Sequence, residues 1–479
     1  MEEAPITDQQ ALPLVILLPS PGIGHIIPLT ELAKRLILQN FAVTFTIPND
    51  GNPAKAQQDV FDALPQSINY IYLTPVDFSD LPDDARLETI INQTTSRSLN
   101  SLRETLNNIS ATHHIVAMVV DSFSTDAFDV ANELNIPPYL FFSADALLLS
   151  LTLHVPKMDE MYSGEYRDMP EPLKLPGCVP ILPANLTSPL QDRSNDAYKS
   201  CLYHYKRYRM AQGILLNSFD GVEGRAIKAL NDGSDPTIPP VYPIGPLIRK
   251  GLKAGADDDD VECLRWLDDQ PTGSVLFVSF GSGGTLSMEQ QTELAFGLEL
   301  SEQQFLWVIK SPVQNKSNAC YFNPRSIQDP FDFLPEGFLE RTKGRGLVVP
   351  SWAPQVRVLS HGSTGGFITH CGWNSIIESV VHGVPFIAWP LFAEQRMNSQ
   401  LLVEDLKVAI KPKAEENGVV GRAEIAAIIK CLMEGDEGKR IQKRMKELQA
   451  TAKQVLSEDG YTPKALLEVA QKWKTHVAI

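Results

Sequence analysis

The chain has 479 residues, 43% of them hydrophobic and 21% charged, with a formal net charge of −16. A length of this order predicts two domains, each with enough apolar residues for its own core. The acidic balance excludes a nucleic-acid binder, which neutralises phosphates with lysine and arginine, and no apolar run approaches the roughly 20 residues of a membrane span.

The opening MEEAPITDQQ is acidic, so the LPLVILLP that follows is a core strand and not the centre of a signal peptide. Cys178, Cys201, Cys263, Cys320, Cys371 and Cys431 are scattered without CxxC spacing. They predict free thiols in a reducing compartment. A cytoplasmic location is therefore expected, with the sequons at Asn92, Asn108, Asn185 and Asn315 unused.

Strand candidates in the first half are 14–18, 42–47, 69–73, 115–121, 139–142 and 213–217, alternating with helical patterns. That alternation is the opening of a doubly wound α/β domain, whose functional loops lie at the carboxyl ends of its strands. The loop SPGIGH after the first strand ends in His25, the best candidate for a catalytic base, because histidine titrates near neutral pH without help. A nicotinamide dehydrogenase is opposed here: GIGH lacks the third glycine of the dinucleotide fingerprint, and Pro28 interrupts the segment. His113 and His114 precede the fourth strand in a polar stretch and are expected to be exposed; that strand ends at Asp121.

A break at PPVYPIGPLIRKGLKAGADDDDVECLRWLDDQ, rich in Pro, Gly and charge, separates the halves. Residues 1–248 are expected to form the first domain, 249–262 a linker and 263–455 the second domain, with 456–479 a closing helix. Asp257 to Asp260 reads as a solvated charge run and not a metal site. GSVLFVSFGSGGTLS then restarts the pattern as strand, glycine loop and helix, with Ser287 and Gln290 as a capping box. Further strands are predicted at 305–309, 346–349, 365–369, 386–389 and 407–411. The insertion 311–335 has no strong period and reads as a loop.

The densest segment is WAPQVRVLSHGSTGGFITHCGWNSIIESVVHGVPFIAWPLFAEQ, Trp352 to Gln395. GGFIT is a buried strand candidate; IIESVVHG sets Ile376, Ile377, Val380 and Val381 on one helical face, with Gly383 as the stop. His370, Asn374 and Ser375 fall at the strand-to-helix turn, where unpaired N–H groups and the helix dipole suit a diphosphate without a metal. Glu378, one turn on, is placed to accept from ribose hydroxyls. Taken singly, each residue reads as packing or solvated surface; their joint occurrence in register does not.

This segment resembles the signature box of the plant family-1 UDP-glycosyltransferases. The resemblance implies the glycosyltransferase-B fold, two Rossmann-like domains facing across a cleft, with the closing helix crossing back to the first. It implies that Trp352 stacks on uracil and the Ala353 backbone pairs with its edge. Gln355 and Glu378 then hold the ribose, and His370, Asn374 and Ser375 the phosphates, with Gly281 and Ser282 nearby. Trp373, Glu394 and Gln395 face the sugar. Glu394 departs from the family's commoner Asp, and Gln395 resembles glucose-using members. Asp121 is implied to hold the far nitrogen of His25 and stabilise the imidazolium. The first domain is expected to line the acceptor pocket, with Glu88, Ile91, Phe123, Phe142 and Leu147 as candidates, for all of which core packing is the competing reading. SFGSGGTLS, WPLFAEQRMN, EPLKLPGCVP and TDAFDVA resemble the branch that glucosylates hydroquinone.

The expected function is inverting transfer from UDP-glucose to small phenolic or aromatic hydroxyls, hydroquinone-like, indoxyl or monolignols, giving β-O-glucosides. Another UDP-hexose or another acceptor class such as flavonoids is the alternative. No metal and no cofactor beyond the co-substrate UDP-glucose is expected, and a monomer. A UDP-sugar sensor without catalysis is disfavoured because it needs neither His25 nor Asp121.

Overall fold

The computed structural model describes residues 12–51, 55–81, 87–249, 258–312 and 329–475. Most of the expected linker and of the polar insertion, with Asp257, Asn315 and Cys320, lies outside the described residues.

Seven strands, β1 (Leu14–Leu18), β2 (Ala42–Ile47), β3 (Ile68–Tyr72), β4 (Ile115–Asp121), β5 (Pro138–Phe142), β6 (Ile214–Leu216) and β7 (Val241–Pro243), form one sheet. Six more, β8 (Val275–Ser279), β9 (Gln304–Ile309), β10 (Gly346–Pro350), β11 (Thr364–Thr369), β12 (Phe386–Ala388) and β13 (Ala409–Ile410), form another. The orders are β3-β2-β1-β4-β5-β6-β7 and β10-β9-β8-β11-β12-β13, and the pairings are parallel. Every residue of β1, β4 and β8 is buried, as strands covered by helices on both faces must be. The architecture is two Rossmann-like domains in the glycosyltransferase-B arrangement.

Three local expectations change. The stretch read as an irregular break contributes β7, whose Val241 pairs with Ile214; its prolines are tolerated because β7 is an edge strand. A helix begins at Asp258, inside the expected linker. Pro28 does not interrupt the first helix, which runs Ile23–Leu38 through it.

The capping box forms in half. Ser287 Oγ accepts from the Gln290 N–H, but the Gln290 amide pairs with both backbone groups of Val420. The insertion's described end holds a single 3-10 turn, Pro330–Phe333. Cys178, Cys201, Cys371 and Cys431 are free thiols, and His113 and His114 are exposed.

The last helix, Tyr461–Thr475, packs on the first sheet. Its Ala465, Leu466, Val469, Ala470 and Trp473 join the core that holds Val15, Leu17, Leu29 and Phe41. Trp473 stands edge-on to Phe41 and Tyr139, with centroids 5.8 and 5.2 Å away. Among the described residues no helix is long and apolar enough to cross a membrane.

Candidate active site

Ligands of open α/β sheets bind beyond the carboxyl ends of the strands where strand order reverses. The reversal falls between β1 and β4 in one sheet and between β8 and β11 in the other. The segments leaving those strands carry His25, Asp121, the SFGSGG loop and HCGWNS.

Gly22, at φ 119°, caps the helix Ile23–Leu38 in a conformation open to glycine and puts His25 in the first turn. His25 Nδ1 lies 2.9 Å from Asp121 Oδ2, with Ser143 Oγ 3.2 Å from the same nitrogen. A proton on Nδ1 shared with Asp121 leaves Nε2 as the basic atom. The His25 side chain is 22% exposed and Asp121 fully buried.

Burial pushes the His25 pKa down, but the Asp121 charge and hydrogen bond outweigh it and the net direction is up. For Asp121 burial acts upward, and the His25 contact, the Ser20 hydroxyl and the Phe123 N–H bring it below the usual carboxylate value. Ser124 Oγ sits 2.9 Å from both Ser20 Oγ and Thr95 Oγ1, tying the loops after β1 and β4 together.

On the opposite side, Trp352 is 61% exposed, an unusual state for a side chain whose indole is mostly apolar. Ala353 is buried beside it. Gln355 Nε2 donates to Glu378 Oε2 at 2.7 Å and Ser375 Oγ at 3.0 Å. Burial lifts Glu378 to about 7 although the Gln355 contact and Arg249 oppose it. Ser375 thus sits with the expected ribose pair.

His370 is neutral: burial and the nearby Lys310 charge push its pKa down to about 3. Its ring abuts Gly281, whose φ is 72° and where an added Cβ would fall 2.5 Å from the imidazole. The HCGWNS turn leads into the helix Trp373–His382, stopped by Gly383 in the left-handed conformation. Its buried face includes Ile376, Ile377, Val380 and Val381. Asn374 Nδ2 reaches across the domains to the Gly24 carbonyl at 2.9 Å. Glu394 lies within electrostatic reach of His25, with a pKa raised by burial. Ser282 is exposed at the glycine loop.

Not every candidate is brought to the cleft as expected. The Trp373 side chain is 3% exposed and its Nε1–H donates to Asn217 O at 2.7 Å, which commits that indole donor to the interface between the domains. Gln395 is buried and its Oε1 accepts from the N–H groups of Leu391 and Phe392, at 2.9 and 3.0 Å, which leaves its amide nitrogen as the recognition group.

Among acceptor candidates, Phe123 stands edge-on to His25 with centroids 5.5 Å apart. Glu88 is half-buried and Ile91 buried in the helix Leu87–Arg97. Phe142 and Leu147 are core residues, 3% and 2% exposed. Phe142 packs on Tyr208, and Leu147 borders a different cavity of about 460 Å³ with Cys178, Glu223 and Arg444.

Sequence reading missed Ser20, Ser143 and Lys310. Ser143 directly follows β5 and Lys310 directly follows β9, so the rule that placed Asp121 would have found both. Among the described residues no group of three or more His, Cys, Asp or Glu is arranged to hold a metal ion.

Two Rossmann-like domains carrying a histidine–aspartate pair in one and an exposed tryptophan, a buried carboxylate and a histidine-led helix start in the other have the make-up of a nucleotide-sugar transferase. The family model for UDP-glucuronosyl and UDP-glucosyl transferases matches residues 248–436. Hydroquinone glucosyltransferase of Rauvolfia serpentina is 56% identical over 97% of this chain and 99% of its own. UDP-glycosyltransferase 72B1 of Arabidopsis thaliana is 53% identical over 98% of each. A solved UDP-glucosyltransferase of Polygonum tinctorium, capable of glucosylating indoxyl and bound to 3,4-dichloroaniline, superposes with a TM-score of 0.90 at 50% identity, over 97% of this chain and 99% of that one. Phytolacca americana UGT2, complexed with UDP-2-fluoro-glucose and pterostilbene, superposes at 0.89 and 49% identity, over 97% of this chain and all (100%) of that one. The chain belongs to the UDP-glycosyltransferase family, among its plant members, and is an enzyme that uses a UDP-sugar as co-substrate.

Proposed function

We propose that this enzyme transfers glucose from UDP-glucose to small phenolic hydroxyls with inversion, giving β-O-glucosides. The observation that carries the reading is the 2.9 Å contact between His25 Nδ1 and Asp121 Oδ2, which leaves Nε2 as a base within electrostatic reach of Glu394 in the donor half.

The acceptor O–H gives its proton to His25 Nε2 as its oxygen attacks the anomeric carbon. The bond from that carbon to the diphosphate oxygen breaks on the far face, and its electron pair leaves with UDP. Asp121, held ionised, stabilises the imidazolium. A phenol with an unperturbed pKa of about 10 asks little of such a base.

On the donor side Trp352 carries uracil and the Ala353 backbone pairs with its edge. Gln355 and Glu378 take the ribose. His370, Asn374 and Ser375, with Ser282, meet the diphosphate with donors fixed before reaction. Glu394 and the Gln395 amide meet the sugar, and Phe123, Ile91 and Glu88 border the acceptor. Hydroquinone and indoxyl are the first acceptors to consider, because relatives at 56% and 50% identity are named for acting on them. The proposal includes a monomer in the cytosol that uses no cofactor beyond UDP-glucose.

The test is UDP release from UDP-glucose over a panel of small aromatic alcohols, with EDTA present and the product's anomeric configuration read by NMR. A β-glucoside is expected. An α-glucoside, or turnover that EDTA abolishes, overturns the mechanism.

A further inference from the structure

The β9 strand is apolar and buried, yet it is followed directly by Lys310. The Lys310 ammonium donates to the carbonyls of Gly281 and Ser282 in the SFGSGG loop, at 2.8 Å to Ser282 O. An ammonium has three N–H donors, so two are taken by neutral carbonyls and one remains. Burial brings its pKa down to about 8, and among the described residues no carboxylate contributes to it. A half-buried cation held on neutral carbonyls is better stabilised when an anion completes its site.

The surroundings say where that anion goes. Gly281 abuts the His370 ring, His370 feels the Lys310 charge, and Thr285 Oγ1 donates to Ser311 O at 2.7 Å, pinning the loop to the end of β9. Lys310, the glycine loop and His370 form one cluster at the reversal point of the second sheet.

We propose that Lys310 is the cationic ligand of the donor diphosphate, giving its remaining N–H and its charge to an anion site otherwise built from neutral donors. The inference rests on the reading of this cleft as a UDP-sugar site. Free UDP carries more negative charge than the diphosphate of UDP-glucose, so the ammonium binds the departing group more strongly than the intact donor. It thereby favours cleavage of the bond to the anomeric carbon.

Calorimetric titration of uridine, UMP, UDP and UDP-glucose into the wild type, Lys310→Met and Lys310→Arg tests this. Lys310→Met keeps the apolar stem and removes the charge. Expected are unchanged uridine affinity, a loss of about tenfold or more for UDP, as for a charge-assisted hydrogen bond, a smaller loss for UDP-glucose, and a lower kcat. Lys310→Arg retains charge and is expected to hold UDP more tightly than Lys310→Met, which separates charge from folding. Equal losses for uridine and UDP would make Lys310 a strut for the loop and overturn the proposal, as would wild-type UDP affinity in Lys310→Met. If the wild type binds neither UDP nor UDP-glucose, the reading of the cleft fails first, and the proposal with it.

Discussion

Asn374 of the second domain donates to the carbonyl of Gly24 in the first at 2.9 Å, and that carbonyl is the one Pro28 leaves without a helical donor. In an α-helix the N–H of residue 28 would bond the carbonyl of residue 24, and proline has no N–H to give. The vacancy lies one residue before His25. A side chain of the nucleotide-binding half thus completes the turn that holds the proposed base.

This predicts that Asn374 and Pro28 are energetically coupled. Asn374→Ala is expected to lower kcat about tenfold, the scale of one hydrogen bond at about 1.4 kcal/mol. Pro28→Ala returns an N–H to the Gly24 carbonyl, so Asn374→Ala is expected to cost less in that background. A double-mutant cycle on kcat reads the coupling; strictly additive effects would deny it.

The base should reveal itself in the pH profile. His25 accepts a proton only when neutral, and Asp121 holds its pKa above the ordinary 6.5. kcat/KM is therefore expected to fall as pH drops through a value above 6.5 and to recover on the alkaline side. His25→Ala is expected to lower turnover roughly a hundred- to ten-thousandfold, with UDP affinity within about twofold of wild type. Asp121→Asn removes the raising charge, so burial prevails and the acid limb moves to lower pH while kcat drops. A limb that stays in place in Asp121→Asn would count against the pairing.

Glu378 predicts a different titration. Its carboxyl is raised to about 7, so near neutral pH much of it is protonated, and ribose hydroxyls bond the ionised form better. UDP affinity should strengthen as pH rises through about 7, with proton release on binding. Calorimetry in buffers of differing ionisation enthalpy measures that release, and Glu378→Gln should abolish it and flatten the pH dependence.

Two tryptophans should respond oppositely. Trp352 is 61% exposed and Trp473 1%. Trp352→Ala is expected to cost about 1–3 kcal/mol of UDP affinity, the scale of base–aromatic stacking, with little change in Tm. Trp473→Ala empties a core site and is expected to cost about 3–5 kcal/mol of stability. Thermal melts and UDP titrations on the two proteins separate the effects.

The long apolar strands were readable in sequence because period and burial agree in them. β1, β2 and β4 lie where the pattern put them, whereas β7, short and bordered by prolines, carried no such pattern and was hidden in a break. The site was legible in residue type more than in posture. His25 and Asp121 could be paired by chain position at strand ends, but no sequence rule says that Trp373 would turn its indole to Asn217, or that Gln395 would spend its oxygen on its own loop. Phe142 ends β5 and Leu147 lies in the helix that follows, and both are buried in the core because an apolar residue at a strand's carboxyl end packs inward as readily as it faces a pocket. Asn374 needed two domains at once: its partner carbonyl lies 350 positions away, and only Pro28 hints that it is open.

The docking of Tyr461–Thr475 onto the first sheet has a consequence for synthesis. Phe41 and Tyr139 emerge early from the ribosome, but the indole that packs against both belongs to Trp473 and arrives only after the second domain. The earlier-made domain must wait with an open apolar seam while the later one is translated. The helix Tyr461–Thr475 therefore closes the half that was made first only after the second half has been made.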